Sequence, residues 1–585
     1  MITPSLETQL TENMAKSKGR VCSWAALIFC LFVVMPPLLV RLGVNSSITS
    51  MEGYALLSSQ ETWIRQHQGE NKAWLVPSLM GGVRIEKPPL IVWLDMLAWG
   101  NLDPDTASPE TIVWRGRFIS VLLGLALLAG TFWIGHQLGG LRLASAATLV
   151  TGTGYLFLRQ ARMASYDIQM AGWVTLAIGA ALWSLGSWEA SQASRRKRFL
   201  GLLLAGVFLW AAVMTKGPLA IVHFTVPVLI VIFLAPAPRA GGIAGLLLAL
   251  ATGLILAAPW FLYVLRNVAG ALQIMAFEYQ ADYHKRIEFW YYLQVVPLIF
   301  PWSICMIGSL SLPFGIRDLQ ARRRALFPWL WFVIMIIGFS IPNAKSPRYL
   351  APLLPAIGLM TAQFWLRERE TEGRPARWLK FLGRMHWAVL LIISGSFPFY
   401  VLFEEKLKRI GMIKELLFSR TNLMMAVLFA LLLIALSVAG AWAYARGKSS
   451  AALLLTAGWM VIATTFGFDV YFRLPHLLFQ HRSEAENVSA MIGKEHVVYL
   501  VANPDLDQPP SREFLFYSRR TVPPISPDEL KQKLRRGESC YVIIRTDPAN
   551  EKFMEELGFN SVFEFRDGRI SSRRLYQSPA SKAEH

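Results

Sequence analysis

Hydrophobic residues run along this chain in long segments broken by short basic or turn-forming stretches, the pattern of helices whose surroundings are apolar on every side. Thirteen such segments fall at 21–40, 118–138, 143–158, 165–187, 199–215, 218–235, 242–265, 291–314, 327–342, 350–366, 386–403, 422–446 and 451–472. Each approaches the roughly 20 residues that a helix needs to cross a bilayer. The stretch 88–100 is also apolar, but it is short and carries Asp95. It is expected to be an interfacial or re-entrant helix rather than a span.

The polar stretches fix the orientation, because Lys and Arg collect on the cytoplasmic side of membrane proteins. With 88–100 left out, Arg195 to Arg198, Arg317 with Arg322 to Arg324, the loop from Arg367 to Arg384, and Arg446 with Lys448 all fall inside. Lys406, Lys408 and Arg409 fall outside, directly after Glu404 and Glu405. The first segment follows Lys16, Lys18 and Arg20 and is too long for a cleaved signal core, so 1–20 reads as a cytoplasmic tail before an uncleaved span. The same bookkeeping sends 44–117, the turn around Asp167, 266–290, 343–349 and everything after about 473 to the outer face.

Composition agrees with the segment count and removes other classes. The chain has 585 residues, of which 54% are hydrophobic and only 17% charged, and a mean hydropathy of +0.39. These values describe a multi-pass membrane protein, with membrane lipids as its surroundings. The net charge of +19 lies in clusters between apolar segments with no readable nucleic-acid module, so nucleic acid is not expected as a partner. The four cysteines show neither CxxC nor zinc spacing.

After the membrane domain, 21–475, the pattern changes. Segments 495–501, 540–545 and 561–565 read as strands, separated by helical stretches near 511–518, 527–535 and 549–557. That alternation predicts a small soluble α/β domain over 476–585 on the non-cytoplasmic side. It contains no GxGxxG, P-loop or internal repeat, which favours a cap or docking module over a second active site.

Four clusters of polar residues reach the outer face from separate parts of the chain: Glu52, the turn Glu86-Lys87-Pro88-Pro89, Arg162 to Asp167, and Lys345 to Tyr349. Ionisable groups at span edges are candidates for function, because burying them unpaired is expensive. Lys87, Lys345 and Arg348 supply charge suited to a phosphate, and Lys216 in Thr215-Lys216-Gly217-Pro218 adds another cation. Snorkelling toward lipid headgroups is the competing reading for these cations. Glu52 and Asp167 are the acids placed to orient or deprotonate a hydroxyl. A structural pair of Asp167 with Arg162 is the alternative for the second acid. Glu86 and His284 have the chemistry of divalent-cation ligands.

Taken in order, several motifs resemble the membrane glycosyltransferases of C-type fold, in particular the branch of aminoarabinose transferases and protein mannosyltransferases. The motifs are Trp74-Leu-Val-Pro77, Glu86-Lys-Pro-Pro-Leu90, Arg162 to Asp167, Thr215 to Pro218, Pro259-Trp260, Phe289 to Tyr292, Phe300-Pro-Trp-Ser303 and Lys345 to Pro355. The resemblance implies a sugar donor carried on polyprenyl phosphate and a catalytic cavity beneath the first outer loop. It implies Lys87 as the phosphate contact, Glu86 with His284 as ligands of a divalent metal, and Asp167 as the second acid. Lys216, Lys345, Arg348 and Tyr349 are the further candidate substrate-binding residues. The family opens its first outer loop with Asp-Glu, whereas this chain has Met51-Glu52. Either Glu52 replaces the missing aspartate, the acceptor chemistry differs, or the protein is inactive.

The expected function is therefore transfer of a sugar from a polyprenyl-phosphate carrier to a hydroxyl-bearing lipid, glycan or protein acceptor. A lipid or solute transporter is one alternative, and an inactive relative that binds the carrier lipid is another. The gathering of charges at one face, with no paired broken helices in two matching halves, argues against the transporter.

Overall fold

Apolar segments become helices here because a backbone surrounded by hydrocarbon must satisfy its N–H and C=O groups internally. The computed structural model describes residues 6–43, 48, 50–103, 106–186, 194–236, 238–280, 287–367, 374–402, 423–471, 481–492, 496–501, 512–520, 522–567 and 571–579. Among the described residues, nine helices are long and apolar enough to cross a membrane, or ten if one bent pair counts as a span. Within the described residues the thirteen expected segments fall largely on helices, and the difference arises at specific places. Segments 118–138 and 143–158 belong to Pro109–Gly152, which is interrupted at Gly139 and Gly140. Gly140 has φ +70°, a conformation open to glycine, and it lets the chain turn back there.

The segment expected at 291–314 is not a straight span. It consists of Phe289–Leu298 and Ser303–Ser309, bent by 119°. Pro297 and Pro301 interrupt the run, each removing a backbone donor. Leu219–Leu234 is apolar but short, and the described part of 386–403 lies within the helix Arg374–Leu402. The doubtful stretch 88–100 is the ten-residue helix Leu90–Trp99, about 15 Å long and too short to cross.

The chain divides into two compact units. The first comprises Met1–Val40, Ser120–Leu262 and Phe277–Val470 and contains most of the apolar helices. At its centre, the helix Tyr166–Leu185 packs against Arg195–Lys216. Glycine permits close approach on the other side: a Cβ at Gly172 would lie 2.4 Å from the carbonyl oxygen of Leu123.

The second unit comprises Arg41–Ile119, Tyr263–Ala276 and Tyr471–His585. Its first-loop portion holds the helix Ser50–His67, a hairpin of β1 (Ser78–Leu79) and β2 (Gly82–Val83), and the helix Leu90–Trp99. Glu61 accepts from the backbone N–H groups of Met80 and Gly81 and so holds the hairpin turn. The C-terminal portion is the expected α/β domain. Its strands are β3 (Val498–Val501), β4 (Pro524–Ile525), β5 (Tyr541–Arg545), β6 (Asn560–Asp567) and β7 (Ser571–Gln577), in the order β4-β3-β5-β7-β6. The β3 strand pairs parallel with β4 and β5, and β7 pairs antiparallel with β5 and β6. Val501, Leu530, Val542, Ile544, Met554 and Phe559 form the core of this domain. The helix Pro527–Arg535 starts with a complete capping box from Ser526 and Glu529.

Candidate active site

Asp167 stands in the first turn of the helix Tyr166–Leu185, and the Ser165 hydroxyl caps that helix by accepting from the Asp167 N–H at 3.3 Å. The Asp167 carboxylate is buried between two cations. Lys216 Nζ donates to Oδ1, and Arg348 Nε lies 3.2 Å from Oδ2. Lys216 is available because its helix ends there: Gly217 follows with φ +83°, and Pro218 starts the next helix. Tyr349 completes the group, its ring centroid 4.6 Å from Lys216 Nζ and 5.0 Å from the Arg348 guanidinium carbon.

One carboxylate and two cations leave a net positive charge. Lys216 is nearly buried, but the Arg348 side chain keeps 23% of its surface open, so the excess is presented through a guanidinium able to grip an anion in bidentate fashion. Lys345 is buried close by in sequence and donates from Nζ to the Ile287 carbonyl at 2.8 Å. The Tyr292 hydroxyl accepts from the Ser346 N–H at 3.3 Å and holds the loop that carries Lys345 and Arg348. Arg162 reaches the Pro37 and Val40 carbonyls. Thus Asp167, Lys216, Arg348 and Tyr349, expected from three separate sequence motifs, converge in one unit.

Glu52, Glu86 and Lys87 belong to the other unit. Glu52 is completely buried in the first turn of Ser50–His67, where Arg117 grips both oxygens, with Nε–Oε1 2.7 Å and Nη2–Oε2 3.0 Å. Arg117 also donates to the Leu42 carbonyl at 3.0 Å. Tyr517 of the C-terminal domain bonds to the Ile48 backbone and feels the charges of both Glu52 and Arg117. Burial is the main cause that pushes its hydroxyl up to about 12. The C-terminal domain thus borders the first-loop acid.

Lys87 is half-buried in the turn immediately before the helix Leu90–Trp99. Its neighbour Glu86 has Oε1 3.4 Å from Arg84, while Oε2 is buried without a hydrogen-bond partner. Arg84 lies over the Tyr54 ring at 5.1 Å, and the Arg512 guanidinium lies 3.3 Å from the same ring and donates to its hydroxyl. No group of three or more His, Cys, Asp or Glu side chains converges among the described residues. His284 lies outside the described residues. The described residues thus show only the Glu86 half of the expected metal pair, and that carboxylate faces the Arg84 guanidinium.

Sequence reasoning missed Arg117, Arg84 and Arg512. Arg117 carried a readable signal: it stands at the foot of an apolar segment, where a buried cation needs an acid. Arg512 carried none, because its partner Tyr54 is remote in sequence.

The chain has the architecture of the C-type membrane glycosyltransferases. It is similar to the crystal structure of ArnT from Cupriavidus metallidurans bound to undecaprenyl phosphate, with TM-score 0.66 and 17% identity over 95% of this chain and 99% of that one. In sequence it resembles undecaprenyl phosphate-alpha-4-amino-4-deoxy-L-arabinose arabinosyl transferase 2 of Proteus mirabilis, 26% identical over 50% of this chain and 51% of the relative. The corresponding transferase of Photorhabdus laumondii is 24% identical over 59% of this chain and 60% of the relative. The matches therefore span about half to three-fifths of these curated relatives. No protein-family model matches the chain.

Proposed function

We propose that this protein is a polytopic glycosyltransferase that moves a sugar from a polyprenyl-phosphate carrier to a hydroxyl-bearing acceptor at the outer face of the cytoplasmic membrane. The observation that carries the reading is the cluster of Asp167, Lys216, Arg348 and Tyr349, with its excess of positive charge. The fold shared with a protein crystallised with undecaprenyl phosphate supports a lipid-phosphate ligand for that cluster. The named sequence relatives support glycosyl transfer from such a carrier.

In the proposed reaction the acceptor oxygen attacks the anomeric carbon, and the bond from that carbon to the phosphate oxygen breaks. The electron pair stays on the phosphate, which changes from a diester to a monoester and gains negative charge. Arg348 and Lys216 stabilise that developing charge. Asp167 fixes the direction of both cations and offsets part of their repulsion. Lys87, on the resemblance, is a further phosphate contact, and Lys345 a further cation beside the donor.

Both candidate acids are engaged by cations on both oxygens. Taking up a proton would break those pairs, so orientation suits them better than general-base catalysis. Glu52 orients the acceptor hydroxyl, and the departing phosphate takes its proton. No metal is assigned to Glu86 and His284 in this scheme.

A second reading, an inactive carrier-lipid-binding relative, is favoured by Met51 at the position of the family aspartate and by the closed Glu52–Arg117 pair. The deciding experiment gives purified protein a labelled polyprenyl-phosphate sugar with a panel of lipid, glycan and peptide acceptors. Transfer that disappears in Lys87→Ala and Arg348→Ala supports the proposal. Carrier binding without turnover across the panel favours the second reading, and substrate translocation across vesicles without transfer would indicate a transporter.

A further inference from the structure

Helices Arg374–Leu402 and Leu423–Ala445 pack side by side in the first unit. A cavity of about 810 Å³ lies along them, with Lys380, Arg384, Trp387, Leu391, Val438 and Tyr444 in its wall. Glycines let large rings approach there: a Cβ at Gly440 would overlap the Trp387 ring, and one at Gly383 would overlap the Tyr444 hydroxyl.

The cavity is chemically polarised. At one end Lys380 and Arg384 stand one helical turn apart, both exposed and in no ion pair among the described residues. Arg446 and Lys448 lie over the Trp442 ring at 5.1 and 5.4 Å and place two more cations at the adjacent helix end. Farther along, the lining is Ala388, Leu391, Val438 and Ala441. From Lys380 to Leu391 the helix advances ~16 Å, about half the ~30 Å hydrocarbon thickness and thus the depth of one leaflet.

A second observation points to a ligand. Trp387 is 3% exposed, and its indole N–H has no acceptor among the described residues although the ring lines the cavity. A buried donor of this kind is costly when left unsatisfied. It lies ~10 Å along the helix from Lys380, the level at which a glycerolipid carries its ester carbonyls.

We propose that this cavity binds an anionic diacyl phospholipid. The headgroup phosphate sits between Lys380 and Arg384, an ester carbonyl accepts from Trp387 Nε1–H, and an acyl chain follows Leu391 and Val438. Basic pockets between membrane helices recognise anionic headgroups in this way. A free phosphate would use only the cationic end and leave the apolar length empty. The site is separate from the Asp167 cluster, and its occupation does not depend on the transfer reaction proposed above.

The test is native mass spectrometry of the purified full chain after delipidation, titrated with phosphatidylglycerol, with phosphatidylcholine of the same acyl chains, with undecaprenyl phosphate and with inorganic phosphate. Phosphatidylglycerol should bind in preference to phosphatidylcholine, and inorganic phosphate should not displace it. Lys380→Gln/Arg384→Gln should weaken its binding by about 30-fold, and Trp387→Phe by about fivefold. Arg322→Gln/Arg323→Gln, with the same change in charge on another helix, should leave it unchanged. Equal binding of the two phospholipids, or retention of phosphatidylglycerol by Lys380→Gln/Arg384→Gln, would overturn the assignment. Displacement by equimolar undecaprenyl phosphate would give the cavity to the carrier and also overturn it.

Discussion

Lys216 donates its ammonium to the Asp167 carboxylate, joining the end of one helix to the beginning of its packing partner. Both side chains are nearly buried, so each charge depends on the other for compensation. Lys216→Met should remove the cation at Asp167 Oδ1 and destabilise the protein by about 3–5 kcal/mol, the usual cost of breaking a buried pair. Asp167→Asn/Lys216→Met should recover much of that stability, because the one charge left without its partner, Arg348, is partly open to solvent. It should not recover transfer, since one phosphate-facing cation has gone. Thermal unfolding in detergent together with product formation separates the two effects. A double variant that regains full activity would remove Lys216 from the proposed site.

Arg117 offers the same test for the first-loop acid. Arg117→Ala leaves Glu52 wholly buried without its bidentate partner, and the expected loss is again about 3–5 kcal/mol. Glu52→Gln/Arg117→Gln should fold much better, because an amide pair carries no net charge. If Glu52 orients the acceptor, this folded double variant should bind carrier lipid normally yet fall in turnover. Normal turnover would confine Glu52 to a structural role.

The C-terminal domain provides an independent handle on that acid. A Cβ added at Gly53 would lie 2.5 Å from the Arg512 Cβ, a distance no relaxed pair of carbons adopts. Gly53→Ala should therefore push away the helix Arg512–Ser518 and with it Tyr517, which borders Glu52 and Arg117. Faster proteolysis within 471–585, with reduced transfer, is the expected result. Intact protection would show that the helix absorbs the methyl group without moving.

The parts of this structure that were legible in the sequence are those set by local rules. Apolar length gave the helices, and the short run carrying Asp95 gave a helix that does not cross. The strands β3, β5 and β6 followed from β-branched and aromatic residues. The β7 strand was obscured because Arg573 and Arg574 interrupt its apolar positions, yet Arg574 is satisfied by Glu551 and Glu564, each at 2.8 Å. Asp167 and Lys216 were both legible as candidates, but their pairing was not. A tertiary contact between two motifs leaves no mark in either one. The bend between Phe289–Leu298 and Ser303–Ser309 was announced only by its prolines, which the continuous hydropathy concealed.

Asp95 yields a prediction with a definite sign. Its carboxyl is fully buried, accepts one hydrogen bond from the Ser59 hydroxyl at 2.8 Å, and leaves Oδ1 without a hydrogen-bond partner. Burial pushes its pKa from 3.8 up to about 7, with the Ser59 bond opposing the shift. The folded state therefore holds the proton more tightly than the unfolded chain does. Stability from this group is complete below the unfolded value, declines as pH rises between about 4 and about 7, and is lost above that window. Asp95→Asn keeps the shape and removes the charge, so its advantage over the wild type should be small at pH 4 and reach a few kcal/mol by pH 8. Comparing the thermal midpoints of the two proteins across that range cancels the contributions of all other titrating groups. A difference that stays constant with pH would mean that water or a cation reaches Asp95 and keeps it ionised in the folded protein.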